Sequence, residues 1–317
     1  MDTLPVEVDL VYLWVDGDDP AWLEKKQKYS PHTNTASRSE SNHKARYSDN
    51  NELRYALRSA EQHVPWIRQI FIVTDDQRPQ WLDISHPRIK VVDHREILPT
   101  EILPSFNSTI IEQYLYRIPG LSEHFLYAND DMFFNADLTP GFFFAEDGCP
   151  IVRVKHKLMG KWHYRIKRML GTKLGQYAHT LSEAARMIYA KFGVSYPGVP
   201  HHNVDSYRKS DFREAVEVVF AKEIEAAKFN RVRARNDVQR FAFSLYALYK
   251  GCAHLRYVGR SESSRILLYR HDFERYIKKY QPKLFCLNDN QHLQDHHRKQ
   301  VEPILSAYFP VKAAFEI

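Results

Sequence analysis

The chain of 317 residues predicts an α/β fold on one mostly parallel sheet, with helices on both faces and a helical second half. Three observations carry that expectation. Through the first 150 residues, short β-branched and aromatic runs alternate with stretches of helical apolar spacing. Such alternation needs crossover connections and so gives a parallel, Rossmann-like sheet. Each of those runs stops at an acid, and ligands in sheets of this kind bind beyond the carboxyl ends of the strands. From Leu181 onward the spacing becomes mainly helical.

Residues 8–15 (Val-Asp-Leu-Val-Tyr-Leu-Trp-Val) read as a buried strand that stops at Asp16-Gly17-Asp18-Asp19-Pro20. Residues 22–28 continue as a helix, and residues 30–44, polar and without period, as a loop. Asp49-Asn50-Asn51-Glu52 resembles a capping box opening a helix that carries Leu53, Ala56, Leu57, Ala60 and Val64 and stops at Pro65. Strands follow over residues 70–73, ending at Asp75-Asp76, and 88–92, ending at Asp93-His94. A helix over 108–118 is stopped by Pro119-Gly120, and a fourth strand over 125–128 ends at Asn129-Asp130-Asp131. Helices are expected over 181–192, 211–229 and 237–249, the second of them on the surface. Phe285-Cys286-Leu287 is a short apolar piece closed by Asn288-Asp289-Asn290.

Cys149, Cys252 and Cys286 are few, widely spaced and odd in number, which points to reduced thiols. The start lacks a basic and apolar leader, and no apolar run reaches the roughly 18 residues of a membrane span. A soluble, cytoplasmic protein is therefore expected. The net charge of +6 is uneven: residues 148–181 hold eight Lys or Arg and no acid. That block is either an anion-binding surface or a solvated basic face, with even weight on each.

Asp130-Asp131 is the pair that asks for an explanation. Two adjacent carboxylates at the mouth of a buried strand repel each other and need a cation, a partner or solvent. Mg²⁺ (or Mn²⁺), held by carboxylates and substrate phosphate, resolves that cost; a cap or surface turn is the plainer account. Asp16-Gly17 permits close backbone approach to a ligand but is also an ordinary turn. His201 or His202 could act as a general base, although sixteen histidines make chance pairs common. Arg231, Arg233 and Arg235 alternate, so an extended segment would put them on one face, where guanidinium forks suit a diphosphate. His292, Asp295 and His296 lack both a His-Glu-x-x-His pattern and a nearby cysteine pair, so zinc is not expected there.

Four blocks, taken together, resemble the Stealth family of sugar-1-phosphate transferases. The first is residues 9–20; the second runs from Arg46-Tyr47-Ser48-Asp49-Asn50-Asn51-Glu52-Leu53-Arg54-Tyr55 through Ile72-Val73-Thr74-Asp75 to Asn129-Asp130-Asp131. The third joins Pro200-His201-His202 to Asn236-Asp237-Val238-Gln239-Arg240-Phe241-Ala242-Phe243, and the fourth is residues 285–290. The resemblance implies a glycosyltransferase-A-like fold and a minimal bacterial core without large insertions or anchors. It implies residues 1–150 as the nucleotide-sugar and metal-binding portion, 151–200 as a basic helical insertion, and 201–317 as a helical portion completing the same catalytic domain. The implied reaction moves N-acetylglucosamine-1-phosphate from UDP-N-acetylglucosamine to a glycan hydroxyl and releases UMP.

Residue by residue, the resemblance makes Asp131 and Asp130 the main catalytic and metal carboxylates, with Asp289 a further metal ligand and Asn288 beside it. Asp16, Gly17, Arg46, Asn50, Arg54, Asp75 and Asn129 are implied to contact the substrate. The family usually shows His-x-Pro-His where this chain has Val199-Pro200-His201-His202, so both histidines stand as the base, with a slight preference for His202. Arg233 and Arg235 likewise both stand for the phosphate contact. The implied partners are the donor and a glycan acceptor rather than nucleic acid, with a peripheral contact at the bacterial inner membrane and a homodimer as further options. A conventional glycosyltransferase releasing UDP, or a basic glycan- or nucleic-acid-binding module, are the alternatives.

Overall fold

The computed structural model describes residues 6–29, 47, 50–156, 166, 169–171, 174–288 and 294–317, with Asp295 through its backbone alone. The first half is the alternation the sequence predicts. Strands β1 (Val8–Leu13), β2 (Ile70–Thr74), β3 (Ile89–Asp93) and β4 (His124–Asn129) form a parallel sheet in the order β3-β2-β1-β4. The strand period of two sorts their side chains into two cores. Leu10, Tyr12, Leu126 and Ala128 face the layer built on the Glu52–His63 and Asp295–Tyr308 helices. Val11, Phe71, Phe125 and Tyr127 face the layer that holds the Gln176–Phe192 and Phe241–Lys250 helices. Leu53, Ala56, Leu57, Ala60 and Val64 are all buried, as their spacing predicts.

Two local expectations change. Asp49, the expected cap, lies outside the described residues. Asn51 opens the helix in the left-handed region with no side-chain cap, and Glu52 accepts the Asn50 backbone N–H at 2.7 Å. The helix expected over 108–118 is shorter, Ser108–Gln113, and tightens into a 3₁₀ turn over Leu115–Arg117.

The second half holds more strand than its periodicity suggested. β5 (Met132–Phe134), β6 (Ile151–Lys155), β7 (Val199–Pro200), β8 (Asp205–Arg208), β9 (His254–Tyr257), β10 (Ser263–Ile266) and β11 (Leu284–Leu287) all form there or at its start. β8 adds antiparallel to β4 and completes a five-stranded sheet, while β10-β11-β5 and β7-β6-β9 make two smaller ones. β7 is two residues long, and β8, β9 and β10 are four residues each and largely polar, so neighbouring strands define them. The segment expected as a basic helical insertion opens with β6 and closes with β7, with the Gln176–Phe192 helix between them. Residues 157–165, 167–168 and 172–173 of its basic block lie outside the described residues.

The helix expected over 211–229 is three pieces, Lys209–Glu214, a widened π turn over Ala215–Val219, and Ala221–Ala227. It lies at the surface with one face inward: Phe212, Ala215, Val216, Phe220, Ile224 and Ala227 are buried, while Arg213, Glu217, Val218, Lys222 and Glu225 are exposed. In the π turn Phe220 N–H donates to Ala215 O at 2.9 Å, five residues back, and Ala215 and Phe220 are both buried. Cys149, Cys252 and Cys286 are free thiols. Among the described residues no helix is long and apolar enough to cross a membrane.

The C-terminus locks onto the Glu52–His63 helix. The fully buried Glu316 carboxylate accepts Arg58 Nε at 2.6 Å and Arg54 Nε at 2.7 Å. Burial works to raise its pKa, but Arg58, the Ala313 N–H and Arg54 outweigh burial and hold it at about 2. Glu316→Gln is expected to destabilise the fold by about 3–5 kcal/mol, because it strands buried guanidinium charge. Chemical denaturation checks this. In the native chain the same contribution is complete above the ordinary glutamate range and fades as pH falls toward about 2.

Candidate active site

Because β1 to β4 run parallel, Leu13, Thr74, Asp93 and Asn129 end on one edge of the sheet. β4 ends at Asn129 and β5 begins at Met132, so Asp130-Asp131 is the link by which the chain passes from the central sheet to a second one. That second sheet delivers β11 to the same point. Leu287 N–H donates to Asp131 O at 2.9 Å, and the Cys286 thiol donates to Asp131 Oδ2 at 3.2 Å. Burial, and then the Asp131 charge, push the Cys286 thiol well up, so it stays protonated as a donor. Asn288, the next residue after β11, thereby stands beside the acidic pair.

A cavity of about 700 Å³ opens over this junction. Asn129, Asp130, Asp131 and Asn288 line it, and so do Arg233, Arg240, Arg265 and Arg270, of which Arg240 is tied to Glu112 and Asp205. At the β1 end the lining is aromatic: Trp14, and Trp22 packed on Tyr47 and Phe106 at ring-centroid distances of 5.1 and 5.5 Å. His94, after β3, also lines the cavity; burial pushes its pKa down to about 4, and neither ring nitrogen has a hydrogen-bond partner.

The two histidines part company. His201 is buried and does not line the cavity; its Nδ1 meets Ser263 Oγ at 2.8 Å and its Nε2 meets Asp205 Oδ1 at 3.2 Å. A carboxylate can only accept, so Nε2 carries the proton. Asp205 Oδ2 accepts Arg240 Nη2 at 3.0 Å, and Arg240 Nη1 donates to Glu112 Oε2 at 2.8 Å. His201 thus braces the arginine from behind. His202 lies at φ +58°, a left-handed position that side chains seldom take, and lines the cavity. Its Nε2 is 3.4 Å from Asn288 Nδ2 and its Nδ1 3.2 Å from Tyr177 Oη. Burial, then the charges of Arg265 and Arg240, push its pKa down to about 3, so the ring is neutral at physiological pH.

The remaining sequence-predicted residues divide in the same way. Arg233 lines the cavity, held by Ser108 Oγ at 3.0 Å from its Nε, whereas Arg235 is exposed and does not line it. Arg54 sits in the Glu316 lock, and Asn50 donates to Glu52. Asp75 pairs with Lys25 at 3.0 Å, and Asp16 caps its own turn by accepting the Asp18 N–H at 3.0 Å. Gly17 lies against Tyr47, whose carbonyl would stand 2.0 Å from a Cβ added there, so the glycine is needed for the wall behind the aromatic end. None of Arg54, Asn50, Asp75, Asp16 and Gly17 lines the cavity. Arg46 and Asp289 lie outside the described residues.

Sequence reasoning missed Arg265, Arg270 and Glu112, and gave Arg240, although it stands in the third block, no role of its own. Arg265 and Arg270 stand in a stretch with no pattern to mark them. Glu112 did leave a signal, a lone acid beside Ile110 and Ile111 on a short helix. In chemical terms the cavity offers hard carboxylate oxygens, which suit Mg²⁺ or Mn²⁺, and guanidinium forks for phosphate. It also offers a neutral imidazole.

Two family models match the chain: Stealth protein CR1, conserved region 1, over residues 6–33, and Stealth protein CR2, conserved region 2, over residues 46–152. The capsular polysaccharide phosphotransferase fcs1 of Haemophilus influenzae is 33% identical over 96% of this chain and 84% of its own length. An exopolysaccharide phosphotransferase of Streptomyces coelicolor is 34% identical over 99% of this chain, which spans 54% of that relative. Among solved structures, the galactosyltransferase LgtC with donor and acceptor sugar analogues overlays at a TM-score of 0.47 and 14% identity. The overlay covers 96% of this chain and 98% of LgtC.

Proposed function

The chain belongs to the Stealth family, whose relatives here are named polysaccharide phosphotransferases, and from that premise we propose that it transfers a sugar-1-phosphate to a hydroxyl of a glycan acceptor. The donor is a nucleotide sugar, UDP-N-acetylglucosamine in the first instance. The acceptor oxygen attacks the phosphorus that carries the sugar, and the bond from that phosphorus to the bridging oxygen breaks. UMP leaves, and a phosphodiester joins the two sugars. The anomeric C–O bond survives.

The observation that carries this reading is that Asp130-Asp131 and the arginines Arg233, Arg240, Arg265 and Arg270 line one cavity. Phosphoryl transfer needs positioning and charge neutralisation rather than a covalent intermediate. The arginines suit the non-bridging oxygens of a diphosphate, and the aromatic end with His94 suits a nucleoside. Asp130 and Asp131, with Asp289 as a further ligand, would hold Mg²⁺ or Mn²⁺, which neutralises phosphate charge when bound. His202 is our candidate for the group that takes the acceptor proton. Its Nε2 is 3.4 Å from the Asn288 amide, and the acceptor hydroxyl would displace that long contact to reach the lone pair; a diphosphate that offsets Arg265 and Arg240 would raise the basicity those charges suppress. Arg233 is preferred to Arg235 as the phosphate contact, since Arg233 alone of the two lines the cavity.

A panel of nucleotide sugars, incubated with Mg²⁺ and a mannoside, is expected to yield nucleoside monophosphate and a product heavier by sugar plus phosphate. Release of UDP with a new glycosidic bond would make the protein a conventional glycosyltransferase. Monophosphate from none of the donors would remove the transferase reading.

A further inference from the structure

Outside the cavity, a carboxylate oxygen of Asp147, the sulfur of Cys149 and a ring nitrogen of His254 lie within 4.8 Å of one another. The backbone builds this grouping. A tight turn over residues 145–149 is closed by Gly148 N–H to Ala145 O and by Ala145 N–H to Cys149 O, both at 2.9 Å. Gly148 takes φ +76° there, which bends the chain sharply enough for side chains two residues apart to face one point. Cys149 N–H donates to Asp147 Oδ1 at 2.9 Å and fixes the carboxylate. From the other side, β9 pairs with β6 in the register Ile151↔His254, and His254 N–H donates to Pro150 O at 2.9 Å. The imidazole is thus delivered to the start of β6, with Nε2 at 2.8 Å from Asp147 Oδ2.

We propose that Asp147, Cys149 and His254 hold a zinc-class divalent cation that staples the 145–149 turn to β9. A thiolate, an imidazole and a carboxylate make a borderline-soft donor set, unlike the all-oxygen pair at Asp130-Asp131. Ligand bonds of about 2.0–2.3 Å in a tetrahedron set donor atoms roughly 3.5 Å apart, which small side-chain rotations from the present spacing supply. With three protein ligands, solvent fills the remaining coordination position. Binding releases the thiol proton to solvent. Without a cation, the His254–Asp147 contact is a half-exposed side-chain hydrogen bond of little worth.

The test uses the full chain, stripped with a chelator, kept reduced, and titrated with Co²⁺. Thiolate-to-cobalt charge-transfer absorption is expected, saturating at about one equivalent and displaced by Zn²⁺. It should vanish in Cys149→Ser and persist in Asp131→Asn. His254→Gln changes a half-exposed side chain and so keeps the fold. It should raise the Co²⁺ requirement more than about 100-fold, since outer-shell partners alone are worth about 10–100-fold. No charge-transfer absorption in the native chain, or its survival in Cys149→Ser, overturns the proposal. The readout is independent of turnover, so failure here leaves the transferase reading standing, and failure of that reading leaves this site standing.

Discussion

Asp131→Asn is expected to lower the turnover of sugar-phosphate transfer by roughly 10³-fold while leaving the fold intact, a loss typical of removing a group that stabilises transition-state charge. The fold should survive because the amide is nearly isosteric, and its oxygen can still accept the Cys286 thiol that now binds Asp131 Oδ2. The carboxylate sits where β4 hands over to β5 and where Leu287 N–H closes on the Asp131 carbonyl, so its position is set by two sheets. Only its charge changes in the variant. The check is monophosphate release from the best donor, with thermal melting alongside. Turnover within tenfold of native, with the melt unchanged, would remove Asp131 from the mechanism. Raising Mg²⁺ or Mn²⁺ in the assay should recover little of the loss, since the amide contributes no charge to a cation.

His202→Asn separates the two histidines. Asparagine tolerates the left-handed backbone that His202 holds at φ +58°, so the variant should fold while kcat falls by roughly 10²–10⁴-fold, the usual worth of a general base. His201→Ala is expected to behave in the opposite sense. It removes the N–H that partly buried Asp205 accepts and should destabilise the chain by about 1–3 kcal/mol. The folded fraction should lose far less kcat than His202→Asn does. Paired denaturation curves and rates decide it. If His201→Ala abolished turnover with stability intact, the base would have to be reassigned to His201.

How much of this was legible beforehand depended on the range of the interaction involved. Glu52–His63 was readable because burying one face of a helix writes a period into its residues, and the four parallel strands because burying a strand in a sheet covered on both faces writes a short apolar run. Asp130-Asp131 was readable because two adjacent carboxylates after an apolar strand are an electrostatic cost visible in one dimension. Strands β7 to β10 were not readable, since two to four largely polar residues become a strand only through their neighbours across the ladder. Arg54 and Asp75 belong to motifs resembling the family's, yet in space one closes on Glu316 and the other on Lys25.

For the Asp130-Asp131 junction the division is clear. By itself, the sequence determined that an acidic pair closes a buried strand, that the same edge collects the ends of its parallel neighbours, and that a histidine and an arginine stand in reserve elsewhere. Tertiary structure alone decided which histidine and which arginine share a cavity with that pair. His201 and His202 are chemically identical neighbours, and Arg233 and Arg235 differ only by two positions. A left-handed backbone at His202, a partly buried Asp205–Arg240 pair behind His201, and the Ser108 hydroxyl under Arg233 separate them. Each of those is a contact between residues distant in sequence or a backbone angle. Neither leaves a mark on residue type.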